Sequence, residues 1–368
     1  MINYNKRIKT LITQLEEKRV DLAIIMDPSN IFYFTGFNSD PHERFMALIF
    51  NIKTKDITLF VPALDKNAAL EASTIQNIVP ISDEQDPFQV VQSHMNEEYS
   101  NVYLEKGYVS IMRYEGFQNI FDNDSFYYDI GPLVNEQRLI KSRQEIILLQ
   151  EAVDIIEKVL ADGIKEVKIG MTELELTGQL ELLMKKHGAV GPSFSTTVLS
   201  GEKAALPHGA PGERKFENGD FLLIDFGVVT QHGYCSDMTR TFIIGEADSE
   251  QQKIYDIVKA SNQAGIDAVK SGVSVKTFDI AARNIIEESG YGDYFNNRIG
   301  HGLGIDVHES PSIHEQNEDI AQSGLFFTIE PGIYIPNYGG VRIEDEVYIN
   351  ENSEVEILTS FPRDLQIL

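Results

Sequence analysis

Two domains are expected from three features of the chain: an α/β domain with a mixed sheet over residues 1–134, then an α+β domain over residues 135–368. First, 368 residues leave room for roughly two cores of about 150 residues each. Second, the opening third alternates a helical period with short apolar runs of strand length. Third, the remainder holds two stretches that match at a fixed offset, each reading as a helix followed by extended segments. A hydrophobic content of 42% is ordinary for globular proteins, so neither core needs disulfides or a structural metal.

Residues 5–18 place Ile8, Leu11, Ile12 and Leu15 on one helical face. Apolar runs follow at 21–26, 31–34, 45–50, 57–61, 78–81 and 102–105, each bounded by Pro, Asn, Asp or Gly, and each is expected as a strand. This domain shows no Gly-rich phosphate loop and no histidine grouped with carboxylates at ligand spacing, so the chemistry is expected elsewhere. The Gly131-Pro-Leu-Val-Asn135 segment marks the boundary. Ser142 and Glu145 form a capping-box signature opening a long helix whose buried stripe is Ile146, Leu149, Val153, Ile156 and Leu160.

The repeat appears on shifting the chain by 102 positions. Lys168-x-Gly170-Met171-Thr172 then overlies Lys270-x-Gly272-Val273-Ser274, Leu176 falls on Phe278, Leu183 on Ile285 and Gly188 on Gly290. Both copies read as a Thr or Ser cap, an amphipathic helix and a glycine stop. Two similar halves facing each other create a cleft for a shared site.

Lys and Arg number 31 against 57 Asp and Glu, a formal charge of −26. So acidic a chain repels phosphate backbones and anionic membranes, which excludes nucleic acid and membrane surfaces as expected partners. No apolar window approaches about 18 residues, the length of a transmembrane helix. The N-terminus lacks the apolar core and cleavage site of a signal peptide. The single cysteine, Cys235, fits a reducing compartment, and the cytoplasm is the expected location.

The chemistry begins at Phe221-Leu-Leu-Ile-Asp225-Phe-Gly227, which a polar turn at 230–233 joins to Ser236-Asp237-Met-Thr-Arg-Thr. This reads as a β-hairpin with a carboxylate on each arm, and a carboxylate in an apolar strand is costly unless paired. For the hairpin alone, two structural aspartates satisfied by backbone N–H groups or Arg240 remain an equal reading. Three later features favour metal. Gly300-His301-Gly302 sets a histidine among glycines, expected to let a ligand approach the backbone. Glu330 ends an apolar strand before Pro331-Gly332, and Glu344 follows the Gly339-Gly340 turn. One imidazole with four carboxylates suits Mn²⁺, Co²⁺, Fe²⁺ or Zn²⁺ rather than a soft thiolate-bound metal.

The motifs L-P-H, D-F-G with S-D-M-T-R-T, G-H-G-L-G, H-E-S-P, I-E-P-G-I-Y and V-R-I-E-D resemble the pita-bread metallopeptidases. That family includes methionine aminopeptidases, Xaa-Pro aminopeptidases and Xaa-Pro dipeptidases (prolidases). The likeness spans residues 140–368, and the first domain resembles the creatinase-like N-terminal domain of prolidases and Xaa-Pro aminopeptidases. Length and the Asn30-Ile-Phe-Tyr-Phe-Thr-Gly-Phe stretch look most like bacterial prolidases. The resemblance implies a pita-bread second domain with a pseudo-two-fold axis. It implies two divalent ions, Mn²⁺ foremost, on Asp225, Asp237, His301, Glu330 and Glu344, with Asp237 and Glu344 bridging. It also implies a water activated between the ions, Glu330 as acid and base, and His208 and His308 as active-site histidines. Arg342 would brace a ligand carboxylate and Tyr334 would hydrogen-bond within the site. The implied reaction is hydrolysis of Xaa-Pro dipeptides or short peptides by a homodimer. Alternatives are an Xaa-Pro aminopeptidase on longer peptides, a creatinase-type hydrolase, or a metal-free binding module.

Two positions depart from the family pattern. Asp225 and Asp237 lie twelve positions apart rather than eleven, and the turn is expected to absorb the extra residue as a longer loop or bulge. Ser312 stands where some prolidases carry an arginine for the dipeptide carboxylate. Arg44, in a polar loop of the first domain, is a candidate replacement reaching a partner's site. His94, His187 and His314 are expected on the surface and His232 in the turn. Cys235 is expected to be a buried, inert thiol.

Overall fold

The computed structural model describes residues 2–95, 97–121 and 128–368. It divides into two compact units, Met1–Gln137 and Arg138–Leu368. The first opens with α1 (Tyr4–Glu17), β1 (Leu22–Ile25), α2 (Pro28–Thr35), β2 (Ala47–Asn51) and β3 (Asp56–Pro62). It continues with α3 (Lys66–Ala72), β4 (Asn77–Ile81), α4 (Pro87–His94), β5 (Val102–Leu104), α5 (Ile111–Ile120) and β6 (Tyr128–Asp129). The sheet order is β4-β3-β2-β1-β5-β6. It is mixed: β2 pairs antiparallel with β1 and β3, while β3–β4, β1–β5 and β5–β6 are parallel.

One expectation fails here. Residues 31–34 are not a strand but the middle of α2. Asp27 caps that helix through Ser29 N–H (2.9 Å), Pro28 occupies its first turn, and Gly36 closes it at φ 81°. A short apolar run carries no period, so the Asp-Pro start and the Gly stop were the deciding signals.

Helix α6 (Gly131–Leu139) carries the chain across the division. The second unit then builds one motif twice. Its first half has α7 (Arg143–Gly163), α8 (Glu173–Lys186), β7 (Gly191–Pro192), β8 (Thr197–Ser200), β9 (Phe221–Phe226), β10 (Val228–Val229) and β11 (Met238–Ile243). Its second half has α9 (Ser249–Asp267), α10 (Lys276–Glu288), β12 (Gly300–Gly302), β13 (Glu309–Ile313) and β14 (Phe326–Ile329). Strands β15 (Gly332–Ile335), β16 (Gly339–Arg342), β17 (Asp345–Ile349) and β18 (Val355–Ile357) complete it. Sheet order β11-β9-β8 in one half recurs as β17-β14-β12 in the other. In the first half Ile156, Leu160, Leu176 and Leu180 of α7 and α8 pack against Leu222, Ile224 and Phe242. In the second, Ile266, Phe278 and Ala282 of α9 and α10 pack against Phe327, Ile329 and Val347.

Local details repeat as well. Capping boxes open α7 (Ser142, Glu145) and α9 (Asp248, Gln251). Gly170 and Gly272 take φ of 88° and 87°, and Gly188 and Gly290 take 96° and 84°, a conformation that glycine adopts without strain. The cap of α8 is the expected threonine, whereas that of α10 differs from expectation. Thr172 forms a capping box with Glu175, but no side chain caps α10, and the Ser274 hydroxyl donates instead to Asn317 O (2.9 Å).

Candidate metal centre

The β9–β11 ladder pairs Asp225 with Thr239 and Phe226 with Met238, and the same register continues to the Val229–Cys235 bridge. Asp237 therefore lies opposite Gly227, two residues from Asp225, and alternation puts both aspartates on one face. The extra residue sits in the loop Gln231–His232–Gly233, closed by Gly233 N–H to Thr230 O (3.0 Å) with Gly233 at φ 73°. The loop lengthens and the ladder needs no bulge.

The second half supplies its pair at equivalent places: Glu330 directly follows β14, and Glu344 directly precedes β17. His301 sits in β12, between β13 and β14. Its flanking glycines serve the sheet rather than a ligand. A Cβ on Gly300 would lie 1.9 Å from Thr328 O, and one on Gly302 2.0 Å from Ser310 O, so neighbouring strand backbones fill that space.

These five side chains converge. Ligand atoms of Asp225, Asp237 and Glu344 lie within 4.8 Å of one another, as do those of His301, Glu330 and Glu344. Asp237, His301 and His308 form a third such group, which places His308 nearer the donors than the motifs indicated. His301 Nε2 stands 3.6 Å from Asp237 Oδ2 and 3.5 Å from Glu330 Oε1. Its Nδ1 lies 3.0 Å from Gly302 O. A carbonyl only accepts, so Nδ1 carries the proton and Nε2 presents a lone pair to the carboxylates.

The donor set fits cations. Asp225 Oδ1 and Glu344 Oε1 are buried with no hydrogen-bond partner among the described residues. Burial pushes Asp237 and Glu344 well above the usual carboxylate range, and the neighbouring carboxylates push further. Burial raises Glu330 to about 7 against the opposing pull of Arg342. Burial, with His308 at a ring distance of 4.1 Å, lowers His301 to about 3, so the imidazole is neutral and able to ligate. Packing four carboxylates this closely is costly unless positive charge sits between them.

Arg342 meets part of that need. Its guanidinium is buried and donates to Asp225 Oδ2, to Tyr334 Oη (2.8 Å) and, from Nε, to Thr239 Oγ1 (2.9 Å). The Thr239 hydroxyl in turn donates to Glu344 Oε2 (2.7 Å). Arginine and threonine thus orient one oxygen each of Asp225 and Glu344 and leave the other oxygens free. The donors line a cavity of ≈ 680 Å³ together with His208, His308 and Tyr334. Burial holds His308 below the ordinary imidazole value, and Arg298 adds to the effect. Arg44 does not line this cavity. It belongs to the first unit, where Asp83 (2.9 Å) and Glu43 (3.1 Å) engage its guanidinium.

Comparison with known proteins agrees with this geometry. Residues 148–351 match Metallopeptidase family M24, and residues 7–140 match the Creatinase/Prolidase N-terminal domain. The chain belongs to metallopeptidase family M24. This metallopeptidase is 39% identical over 365 residues to a Bacillus subtilis (strain 168) protein named "Putative dipeptidase YkvY", covering 98% of one chain and 99% of the other. It superposes on a prolidase from Thermococcus sibiricus with a TM-score of 0.93 at 34% identity, covering 100% of both chains. An X-Pro aminopeptidase from Thermotoga maritima gives 0.86 at 31% identity, covering 96% of this chain and 100% of that one. The pita-bread second domain and creatinase-like first domain expected from the motifs are therefore its architecture.

The metallopeptidase cavity also holds residues that the motifs did not mark. Arg298 lines it and donates to Ser312 Oγ (3.0 Å), so the serine at the departing position is paired with a cation three residues before His301. Asn297 and Phe194 also line the cavity. Arg298 was visible only as an ordinary residue before Gly300-His301-Gly302. Its distance from Ser312 depends on β12 pairing with β13, which the sequence does not state. Cys235 is buried, its thiol donates to Ile305 O (3.1 Å), and burial pushes its ionisation up.

Proposed function

We propose that the chain hydrolyses Xaa-Pro bonds, chiefly in dipeptides, with two divalent ions held by Asp225, Asp237, His301, Glu330 and Glu344. The observation that carries this reading is the pair of orphaned oxygens, Asp225 Oδ1 and Glu344 Oε1, facing shared space beside a neutral His301. Bound there, such ions polarise the scissile carbonyl and acidify a water at neutral pH. Among the ions that this donor set suits, the family resemblance makes Mn²⁺ the proposed native one.

The protein's own groups supply the remaining steps. Glu330 accepts a proton on a carboxylate oxygen and returns it to the leaving proline nitrogen. His308, beside His301, donates to the oxygen that gains charge as the carbonyl becomes tetrahedral. His208 adds a second imidazole on the cavity wall. Arg342 holds the Asp225 carboxylate aimed throughout.

Arg298 supports dipeptides over longer chains. It makes no ion pair among the described residues, and it presents a guanidinium in the cavity where a dipeptide's terminal carboxylate needs one. The family resemblance extends the proposal to a homodimer with Arg44 directed to the partner's site, and the single cysteine extends it to a cytoplasmic location. Solution mass and an unchanged or altered KM in Arg44→Ala decide that part.

The test is a panel of Leu-Pro, Leu-Pro amide, a longer Leu-Pro peptide and Leu-Leu, assayed with Mn²⁺, Co²⁺ and Zn²⁺. Leu-Pro should be cleaved best, and amidation should raise KM. Preferential cleavage of the longer peptide would establish an aminopeptidase instead. A chain that binds no metal and cleaves none of the four would refute the reading.

A further inference from the structure

His208, itself exposed, rides on a stretch of alternating exposed and half-buried residues, 206–211, that follows a short 3₁₀ turn, Gly201–Ala205, and precedes the approach to β9. Such a loop has no ladder of its own, so its position depends on what its two stems touch. Both stems meet one carboxylate. Glu173, the first residue of α8, is 0% exposed. Its Oε1 accepts from Ser200 N–H (2.8 Å) and the Ser200 hydroxyl (3.0 Å), where the chain enters the loop. Its Oε2 accepts from Gly212 N–H (2.9 Å), where the chain leaves, and from the Lys203 ammonium. Lys203 reaches across the neck to Ala210 O (3.1 Å). The first turn of α8 adds two backbone bonds to the exit stem, Glu173 N–H to Arg214 O (3.1 Å) and Leu174 N–H to Gly212 O (3.2 Å). Among the described residues, the hydrogen-bond partners of this buried carboxylate thus all lie on the 200–212 loop, and none of them is a candidate metal ligand.

We propose that Glu173, acting with Lys203, is a positioning residue that clasps the neck of the 200–212 loop and sets where His208 stands in the cavity. Glu173 does not line the cavity, so any effect on turnover passes through the loop. The inference rests on the reading of that cavity as the active site. The competing possibility is a general core tie whose loss loosens the whole unit.

Chemistry separates the two. Glu173→Gln keeps a carbonyl oxygen for Ser200 but turns an NH₂ toward Lys203 and Gly212 N–H, so donors face donors and the exit stem is released. Lys203→Met removes the cation and leaves the carboxylate on Ser200 and Gly212. Amide hydrogen exchange, read by mass spectrometry on the metal-free chain, reports the clasp without any turnover. Exchange over residues 204–212 should rise about tenfold or more in Glu173→Gln, and to a lesser degree in Lys203→Met, with β9 and residues 304–313 unchanged. In the metal-loaded enzyme Glu173→Gln should lower kcat/KM for Leu-Pro, and in a His208→Ala background it should cost nothing further. Exchange at the wild-type level over 204–212, a rise spread evenly over the second unit, or losses that multiply with His208→Ala would overturn the proposal. Should Glu173→Gln fail to fold, Lys203→Met carries the same test. Local exchange with no peptide cleaved by the wild type would refute the functional reading while leaving the clasp supported.

Discussion

Glu309 shows how individual charges hold the walls of the site. It follows His308, and it accepts from Lys141 Nζ (2.7 Å), Arg138, and the N–H groups of Ile305 (2.9 Å) and Asp306 (3.1 Å). Burial raises its carboxyl, but Lys141 and Arg138 outweigh this and hold it at about 2, against an ordinary value of 4.5. A folded value below the unfolded one stabilises fully above the unfolded value and is lost as pH falls through the folded one. The contribution is about 3 kcal/mol. Urea unfolding should show Glu309→Gln less stable than wild type by about that amount at pH 7, and the gap should narrow as pH falls from about 4.5 toward 2. A gap that stays constant over that window would show that the loss comes from packing alone. Arg342 acts on the donors themselves. Arg342→Met removes the bonds to Asp225, Thr239 and Tyr334 together, and metal affinity or kcat should fall about 10–100-fold in a titration with Mn²⁺.

At the scale of elements, the β9–β11 hairpin explains how an odd spacing keeps both aspartates on one face. The ladder register is continuous from Asp225–Thr239 to Val229–Cys235, and only the loop beyond it differs in length. One residue inserted beside His232 should leave metal content unchanged, whereas one inserted between Val228 and Val229 should abolish metal binding by flipping the strand's faces. Gly227→Ala should cost on the order of 3 kcal/mol, because its Cβ would meet Ser236 O at 1.8 Å. The four carboxylates that the fold brings together were readable because each is an acidic residue in or beside an apolar strand, a position costly to bury without a partner. The doubled half was readable because glycines with positive φ repeat where helices must stop. What escaped reading was one pair of local caps around an apolar run, and two contacts between residues distant in the chain. Residues 31–34 fold as α2 because Asp27 and Gly36 bracket them. Arg298 reaches Ser312 only through strand pairing, and Glu173 meets Gly212 only once the loop has closed. No local spacing encodes either meeting.

The whole molecule carries a formal charge of −26, and its acidic groups fall into two populations with different physics. Exposed carboxylates repel one another through water, and salt screens them over about 10 Å at 0.1 M. The cluster of Asp225, Asp237, Glu330 and Glu344 is mostly removed from solvent, so mobile ions reach it poorly, and a ligated cation would relieve what Arg342 leaves uncompensated. Sodium chloride should therefore raise the stability of the metal-free chain modestly and without preference for either unit. A divalent ion should act on the second unit alone, since among the described residues no group of possible ligands occurs in Met1–Gln137. Free Mn²⁺ at about 100 times its Kd should add about 2.7 kcal/mol per occupied site, and chelation should remove it. Hydrogen exchange resolved along the chain checks both parts. Mn²⁺ should slow opening around β9, β12, β14 and β17 and leave β1–β5 as they were. If 0.5 M NaCl protected those same strands equally well, screening would suffice to stabilise the cluster, and the case for caged cations would fail.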